Sequence, residues 1–358
     1  MRELFVWIKI LTLLIKIFPV IISKKMKYKY IFLILLLFIT TVNVFGQTTF
    51  NLNKPKHERV AEALGYITGQ EYTLDLIKKE FPQFEMNVFK AQISFNSTFG
   101  KSKEGMKKYL AEYYGQNEFN KYEIKLISEM EKIISNQSFS DEILANFISE
   151  VENRAKGNIT STVLETLLSF QFSDRPQDEL ISGFTTTFKT KGHLKSKKTD
   201  WQIKVPKSWK AEEADRPNII QKFTSDYGSG NQSIMLMVKE IPITKGHKIT
   251  KKEINDLFTE KEMKSSIPDD GKFISFTKMT LDNNPGGMIE LEQIMERLNF
   301  KIKIRMVQFM FIRENKMYIL QGTVDSEKTE TDLSLEMKKY LPLYKLIANT
   351  IVVNDQYK

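Results

Sequence analysis

The apolar residues of the first half of the chain recur at spacings of three and four. Within Lys56–Ile67, for example, Val60, Leu64 and Ile67 follow one another at this spacing. Residues three and four apart lie on one face of a helix, so the pattern is typical of an amphipathic helix with one buried face. The same period continues to about residue 182. Residues 51–182 are therefore predicted to form an all-α helical domain.

After residue 198 the pattern changes from helical periodicity to alternation, beginning with "WQIKV". Six further apolar runs read as strands, with helices predicted over Thr250–Met263 and over Leu333–Asn349, the latter broken at Pro342. Met306–Ile312 is apolar at nearly every position, which is typical of a strand buried on both faces. Residues 199–356 are thus predicted to form an α/β/α sandwich with a mainly antiparallel sheet. The fold class is α+β.

Two turns are predicted between these strands. The Pro-Gly pair of "NNPGG", at residues 283–287, indicates one turn, and Glu314–Lys316 indicates a short one between the last two long strands.

Between the helical and the alternating halves lies a basic segment, residues 183–198, predicted to be a lysine-rich linker. Five lysines and one histidine, without an acidic residue, fall in the ten positions from Lys189 to Lys198. A metal site is disfavoured because the lysines would repel a cation. Two interpretations stay open, a solvated linker or a surface for a phosphate, an acidic glycan or a lipid headgroup. The candidate anion-binding residues are Lys191, His193, Lys195, Lys197 and Lys198.

The N-terminal 46 residues are predicted to be a targeting segment. Within residues 26–46, Lys27 and Lys29 precede the unbroken apolar run Ile31–Ile39. The basic flank, the short apolar run and the small residue at its end are typical of a secretory signal peptide. We expect export through the Sec pathway to the periplasm or the extracellular space, with cleavage after Gly46.

Residues 1–25 precede this signal and are not needed for it. The interpretation we favour is a mis-assigned start, with translation beginning at Met26. The alternative is an N-terminal membrane anchor, in which Leu4–Ile22 and Tyr30–Phe45 form a helical hairpin. Lys9 and Lys16 disfavour it, because a lysine near the bilayer centre costs about 2.5–3.5 kcal/mol.

Charge and cysteine content narrow the classes of partner and chemistry. The chain carries a formal net charge of +9, of which the residues before Gln47 contribute seven positive charges and one negative, leaving +3. This near-neutral balance gives no basis for a nucleic-acid partner. There is no cysteine, which excludes disulfides, thiolate chemistry and a lipid-attachment cysteine.

No motif of established chemistry is complete. "HERVA", at His57–Ala61, begins like a zinc-protease motif but has Ala61 where the second histidine ligand is required. The glycines of "YGSGNQS" lie between two strands, so a hairpin turn is predicted there instead of a phosphate-binding loop. We predict no catalytic, cofactor-binding or metal-binding residue and no cofactor.

The C-terminal half resembles a known fold. "DWQIKVPKSW" at Asp200–Trp209 opens it, hairpin strands and a helix follow, and "KMYILQGTV" leads to a last helix that runs into "YKLIANTIVV". This order of elements resembles the PsbP-like fold of photosystem subunits, a Ran-binding factor and many bacterial exported proteins. The resemblance implies an α/β/α sandwich, and it transfers no activity because the functions of the family are diverse.

These observations lead to one functional hypothesis and one alternative. The hypothesis is an exported, non-catalytic cell-envelope protein whose PsbP-like domain binds a protein partner or a small ligand. Membrane contact is expected only through an uncleaved N-terminus or the lysine-rich linker. The alternative is an envelope hydrolase that uses carboxylates the sequence does not mark.

Overall fold

The computed structural model describes residues 54–134, 139–214, 216–242, 249–297 and 300–357. The predicted targeting segment, with its signal peptide and its cleavage after Gly46, lies outside these residues. Pro55–Lys358 forms one compact unit. Among the described residues, no helix combines the length and the apolar character needed to cross a membrane.

A bundle of helices forms the first half of the unit. Its elements are α1 (Lys56–Glu80), α2 (Glu85–Tyr114), α3 (Gln116–Ile134), α4 (Asp141–Ala155), α5 (Val163–Gln171) and α6 (Gln177–Ile181). The helical periodicity predicted from the sequence is confirmed: Val60, Leu64 and Ile67 are buried in one core together with residues of α2, α4 and α5. The first helices are longer than their local patterns indicate, since α1 and α2 have 25 and 30 residues.

In the described residues of the second half, ten strands are joined by three helices longer than one turn. The strands are β1 (Thr185–Lys189), β2 (Trp201–Pro206), β3 (Lys210–Glu212), β4 (Ile219–Thr224), β5 (Gln232–Glu240), β6 (Gly271–Leu281), β7 (Asn284–Arg297), β8 (Phe300–Arg313), β9 (Lys316–Ser326) and β10 (Val352–Val353). The helices are α7 (Lys251–Leu257), α8 (Glu260–Ser265) and α9 (Ser334–Asn349). The α+β fold class predicted from the sequence is confirmed.

The strands form two antiparallel sheets. The larger sheet has seven strands in the order β3-β4-β5-β9-β8-β7-β6, and the smaller has the order β1-β2-β10. Strand β2, which contains the "WQIKV" stretch, therefore pairs outside the main sheet. Its residues Trp201, Ile203 and Val205 share a core with α9 and with one face of the large sheet.

Both faces of the large sheet are covered, as the unbroken apolar run in β8 predicts. Phe309 and Phe311 face the core formed with α9, whereas Met310 and Ile312 face the core formed with α7 and α8. The predicted break at Pro342 is wrong: α9 continues through it from Ser334 to Asn349.

The lysine-rich segment 183–198 is not a free linker. Its first part is β1, which pairs with β2 over five residues, from Thr185 opposite Pro206 to Lys189 opposite Gln202. Its second part contains a 3-10 turn over Leu194–Ser196. Lysine density alone misled the prediction, because the segment also holds Phe188, which packs on the sandwich core, and threonines that suit a strand.

Candidate functional site

A cleft of about 340 Å³ lies where the bundle meets the sandwich. The bundle supplies Lys56, the end of α5 and the segment that leads through α6. The sandwich supplies the turn after β2, the β4–β5 connection and α9. Clefts of roughly 300–1,000 Å³ at the junction of two subdomains are a common place for small-ligand sites.

One wall of the cleft is the β4–β5 connection, Ser225–Gly230, which we call the cleft loop. Three of its residues in a row have positive φ, namely Asp226 at 51°, Tyr227 at 50° and Gly228 at 92°. Aspartate and tyrosine adopt this left-handed conformation at a cost of order 1–3 kcal/mol each, so the surroundings must hold it in place.

The bundle holds the cleft loop through two basic residues of α1. The Arg59 guanidinium donates to the backbone carbonyl of Asp226 at 3.0 Å and to the Ser229 hydroxyl at 3.1 Å. Lys56 forms an ion pair with the Asp226 carboxylate. Because α1 fixes the loop, the wall of the cleft depends on both halves of the molecule.

Deep in the cleft lies Glu179 of α6, which is 3% exposed. Its two carboxylate oxygens accept hydrogen bonds from the Ser208 backbone N–H at 2.8 Å and from the Ser208 hydroxyl at 2.6 Å. Burial raises the pKa of Glu179 to about 7, although the hydrogen bonds from Ser208 and Lys207 act to lower it. This carboxyl therefore changes charge near neutral pH.

The remaining lining combines aromatic rings with short polar side chains. The rings are those of Phe170, Phe172, Trp209 and Tyr340. The polar groups are hydroxyls and amides from Ser169, Ser173, Ser208, Ser225, Ser229, Asn231 and Gln232. Trp209 meets Tyr340 edge-on, with ring centroids 6.3 Å apart. Burial raises the pKa of Tyr340, so this phenol stays neutral and can donate a hydrogen bond.

Some polar groups of the lining are engaged and others are available. The Gln232 amide accepts from Ser225 at 2.7 Å and donates to Glu336 at 2.9 Å. In the described part of the chain, by contrast, the exposed side chains of Ser173 and Asn231 have no hydrogen-bond partner. Those two side chains can bind a ligand without breaking a contact of the protein.

The charges of the cleft largely compensate one another. Lys56 pairs with Asp226, and Lys339 lies 4.0 Å from the Glu336 carboxylate and 5.3 Å from the centroid of the Tyr340 ring. The cleft thus favours an uncharged polar ligand. No group of three or more histidines, cysteines or carboxylates stands close enough in the described residues to hold a metal ion.

The predicted anion-binding residues lie away from this cleft, on the loop between β1 and β2. Lys191 and Lys198 are exposed, whereas the Lys195 ammonium binds the Ala214 carbonyl and lies 3.3 Å from Glu213. His193 accepts from the Lys195 backbone N–H through Nδ1. The backbone carbonyl of Lys197 accepts from Lys316.

Sequence reasoning did not find the cleft residues. The "YGSGNQS" stretch is predicted only as a hairpin turn, and "DWQIKVPKSW" carries only the resemblance in fold. Both contribute cleft walls, through the cleft loop and through Trp209. Glu179 was unmarked because its burial arises only when α6 packs on the turn after β2. His57 of the incomplete zinc motif stacks on Tyr113 with ring centroids 4.4 Å apart.

No protein-family profile matches the sequence. No curated protein sequence matches it either.

Several solved structures are similar to part of the chain. Cyanobacterial PsbP from Synechocystis matches with 11% identity and a TM-score of 0.30, over 47% of this chain and 92% of its own. LpqN, described as involved in cell envelope biogenesis of Mycobacterium tuberculosis, matches with 12% identity and a TM-score of 0.30, over 47% of this chain and 90% of its own. The Ran-binding protein Mog1p of Saccharomyces cerevisiae matches with 8% identity and a TM-score of 0.30, over 47% of this chain and 95% of its own.

Cyanobacterial PsbP, which has the fold that the C-terminal part of the sequence resembles, is among these matches. At such identities and TM-scores the similarity concerns the fold of about half of the chain, and no argument on function rests on it.

Proposed function

We propose that this chain is an exported, non-catalytic binding protein of the cell envelope, and that the cleft between bundle and sandwich binds a small uncharged polar ligand. Export rests on the signal-like residues 26–46. The observation that carries the binding function is the cleft lining, in which internally paired charges surround aromatic rings and short hydroxyl and amide side chains.

The ligand class that suits this lining is a mono- or disaccharide. Sugar rings have hydroxyls at their edges and apolar C–H groups on their faces. The edges match the available groups of Ser173 and Asn231, and the faces match Trp209 and Tyr340. A strongly charged ligand would have to separate the ion pair between Lys56 and Asp226.

The test is a titration of the chain that starts at Gln47 with neutral sugars, among them glucose, galactose, N-acetylglucosamine and lactose. Binding is measured by Trp209 emission and by the rise in Tm that a ligand of the native state produces. The double variant Ser173→Ala/Asn231→Ala should bind the responding sugar roughly tenfold or more weakly, since each lost hydrogen bond is worth about 1 kcal/mol.

The matched control is Asn87→Ala/Ser149→Ala, which makes the same two changes at exposed positions of α2 and α4. It should bind as the wild type does. Equal weakening in both double variants, or no response to any sugar in the panel, would contradict the proposed ligand class.

The alternative, an envelope hydrolase, is favoured by one observation only, the neutral-range pKa of Glu179, which suits a general base. Against it, both oxygens of that carboxylate already accept hydrogen bonds from Ser208, and no histidine lines the cleft in the described residues. Turnover of chromogenic esters or glycosides by the wild type, lost in Glu179→Gln, would favour the hydrolase.

A further inference from the structure

The loop between β1 and β2, Thr190–Thr199, which we call the basic loop, carries an unusually exposed apolar side chain. Leu194 stands at the start of the 3-10 turn and is 99% exposed. For comparison, the next most exposed leucine of the described residues is Leu335 of α9, at 78%. Burying a leucine in an apolar environment is favourable, so a leucine held entirely in solvent is available to a partner.

The basic loop is held in shape by buried polar groups. The Thr190 hydroxyl donates to the Thr199 carbonyl at 2.9 Å and accepts from the Trp201 N–H at 3.0 Å. The Thr199 hydroxyl donates to the Ser196 carbonyl at 2.6 Å. All three of the residues Thr190, Ser196 and Thr199 are buried. Leu194 is therefore presented by a fixed scaffold.

The backbone that follows the tip supports the same conclusion. Lys197 and Lys198 both have positive φ, at 52° and 62°. The pair reverses the chain directly after the tip, as Glu314 and Asn315 do in the turn between β8 and β9.

Three lysines of the basic loop carry positive charge that no ion pair seen in the structure neutralises. Lys191 and Lys198 are exposed, and Lys197 is half-buried. Within the described ranges, no carboxylate lies within ion-pair distance of any of these three lysines. Lys195 is different, because its ammonium is held by Ala214 and Glu213 and so braces the loop.

We propose that the basic loop docks on a lipid surface with acidic headgroups, with Leu194 entering the interface and Lys191 and Lys198 lying among the headgroups. Basic residues near an anionic bilayer each add binding free energy, and an apolar side chain beside them adds the hydrophobic part. A free phosphate would use the lysines and leave Leu194 without a role. The combination of charge and apolar tip therefore selects a lipid surface.

This docking is independent of the sugar cleft, which lies elsewhere on the unit. It would bring an exported protein to a membrane without a spanning helix. The two sites can be tested separately, because no residue of the basic loop lines the cleft.

The experiment is co-sedimentation of the chain that starts at Gln47 with phosphatidylcholine vesicles, with and without phosphatidylglycerol. We expect binding to the anionic vesicles only. The variant Lys191→Gln/Lys198→Gln should bind them roughly tenfold or more weakly, since each lysine contributes about fivefold. Leu194→Ser should weaken binding about tenfold at unchanged net charge.

A matched control changes one leucine and two lysines on α9, as Leu335→Ser/Lys338→Gln/Lys345→Gln, all exposed. It should bind as the wild type does, whereas the triple variant of Leu194, Lys191 and Lys198 should not bind. Sensitivity to the lysines but not to Leu194, with competition by inorganic phosphate, would overturn the lipid proposal in favour of a free anion. Absent wild-type binding, or equal loss in both triple variants, would overturn it as well.

Discussion

Glu179 shows how a single buried residue can make the whole molecule sensitive to pH. The groups that face it are the Ser208 hydroxyl and N–H, the Lys207 N–H and the Glu165 carboxylate. Desolvation outweighs the hydrogen bonds, so its pKa in the folded state is about 7 against 4.5 when solvated. A raised carboxyl pKa means that the folded protein binds the proton more tightly than the unfolded chain does.

The sign of the pH effect follows from this difference. The contribution of Glu179 to the free energy of unfolding is fully present below pH 4.5 and is lost as the pH rises through 7, by an amount on the order of 3 kcal/mol. In Glu179→Gln the amide can still accept from the Ser208 N–H and does not titrate. The free energy of unfolding, measured with denaturant, should therefore change less with pH across this range in the variant than in the wild type.

The control for this prediction is Asp178→Asn, the neighbouring carboxyl-to-amide change on α6. Asp178 pairs with Arg175 at 3.3 Å near the surface. This variant should keep the wild-type slope between pH 4.5 and 7. If the free energy of unfolding of Glu179→Gln changed with pH as steeply as that of the wild type, other groups would cause the pH dependence.

At the scale of elements, one of two predicted turns lies where the sequence places it, and the other is shifted along the chain. The predicted turn at Glu314 is confirmed, with positive φ at Glu314 and Asn315. The turn before β7, however, lies at Asp282 and Asn283, also with positive φ, and the Pro-Gly pair after them is already in the strand.

The glycine of that pair serves close packing and not the turn. A Cβ on Gly286 would lie 2.1 Å from the Met310 carbonyl of the neighbouring strand. A local sequence pattern assigns such a glycine to a turn, because the pattern contains no information about the neighbouring strand.

Strand β1 is the element whose contribution can be measured most directly. Its Phe188 ring meets that of Phe223 edge-on at 5.5 Å, and five of its residues pair with β2. We expect residues 195–358 to fold alone, but residues 183–358 to be more stable by roughly 1.5–3 kcal/mol, the value of burying one phenylalanine. Urea unfolding of both fragments, followed by Trp201 and Trp209, measures the difference.

The variant Phe188→Ala in the longer fragment separates packing from strand pairing. It should lower the free energy of unfolding of that fragment by most of the difference between the two fragments. Equal stability of the fragments would show that β1 adds nothing to the sandwich. A shorter fragment without a cooperative transition would mean that β1 is required for folding.

At the scale of the whole molecule, the bundle and the sandwich are tied by polar contacts between residues far apart in sequence. Arg59 of α1 and Asp226 of the cleft loop are separated by 167 positions, and Glu179 and Ser208 by 29. Apolar contact adds to these ties, since Phe184, just before β1, packs on Phe99 of α2 at a ring distance of 6.0 Å. The two halves should therefore unfold together.

The test of this coupling is Arg59→Ala. Removing the guanidinium deletes the two hydrogen bonds to the cleft loop, which should lower the free energy of unfolding by roughly 1.5–3 kcal/mol. In the chain that starts at Gln47, both tryptophans report on the sandwich, whereas far-UV circular dichroism reports mainly on the bundle. The two transitions should coincide in the wild type and separate in the variant.

Arg154→Ala is the matched control, because Arg154 bonds only within the bundle among the partners seen, to Glu150 at 3.0 Å and to Gln70 at 3.1 Å. It should destabilise the protein without separating the two transitions. Coincident transitions in Arg59→Ala would show that the apolar contacts alone couple the halves.

The sequence by itself determined the fold class and most of the elements. Helix and strand periodicities are local, so Val60, Leu64 and Ile67 could be assigned to a buried helix face, and the apolar run in β8 to a strand covered on both sides. The candidate lysines were also visible as local density. The sequence did not predict that the start of this lysine-rich segment forms strand β1.

Which residues line the cleft was decided only by the tertiary structure. Its residues come from α1, α5, α6, the turn after β2, the cleft loop and α9, and no local pattern in the sequence predicts that these segments meet. The pKa of Glu179 depends on burial, the shape of the cleft loop depends on Arg59, and the exposure of Leu194 depends on the loop that presents it. Burial, strain and exposure are properties of packed neighbours, which is why they become visible only once distant segments meet.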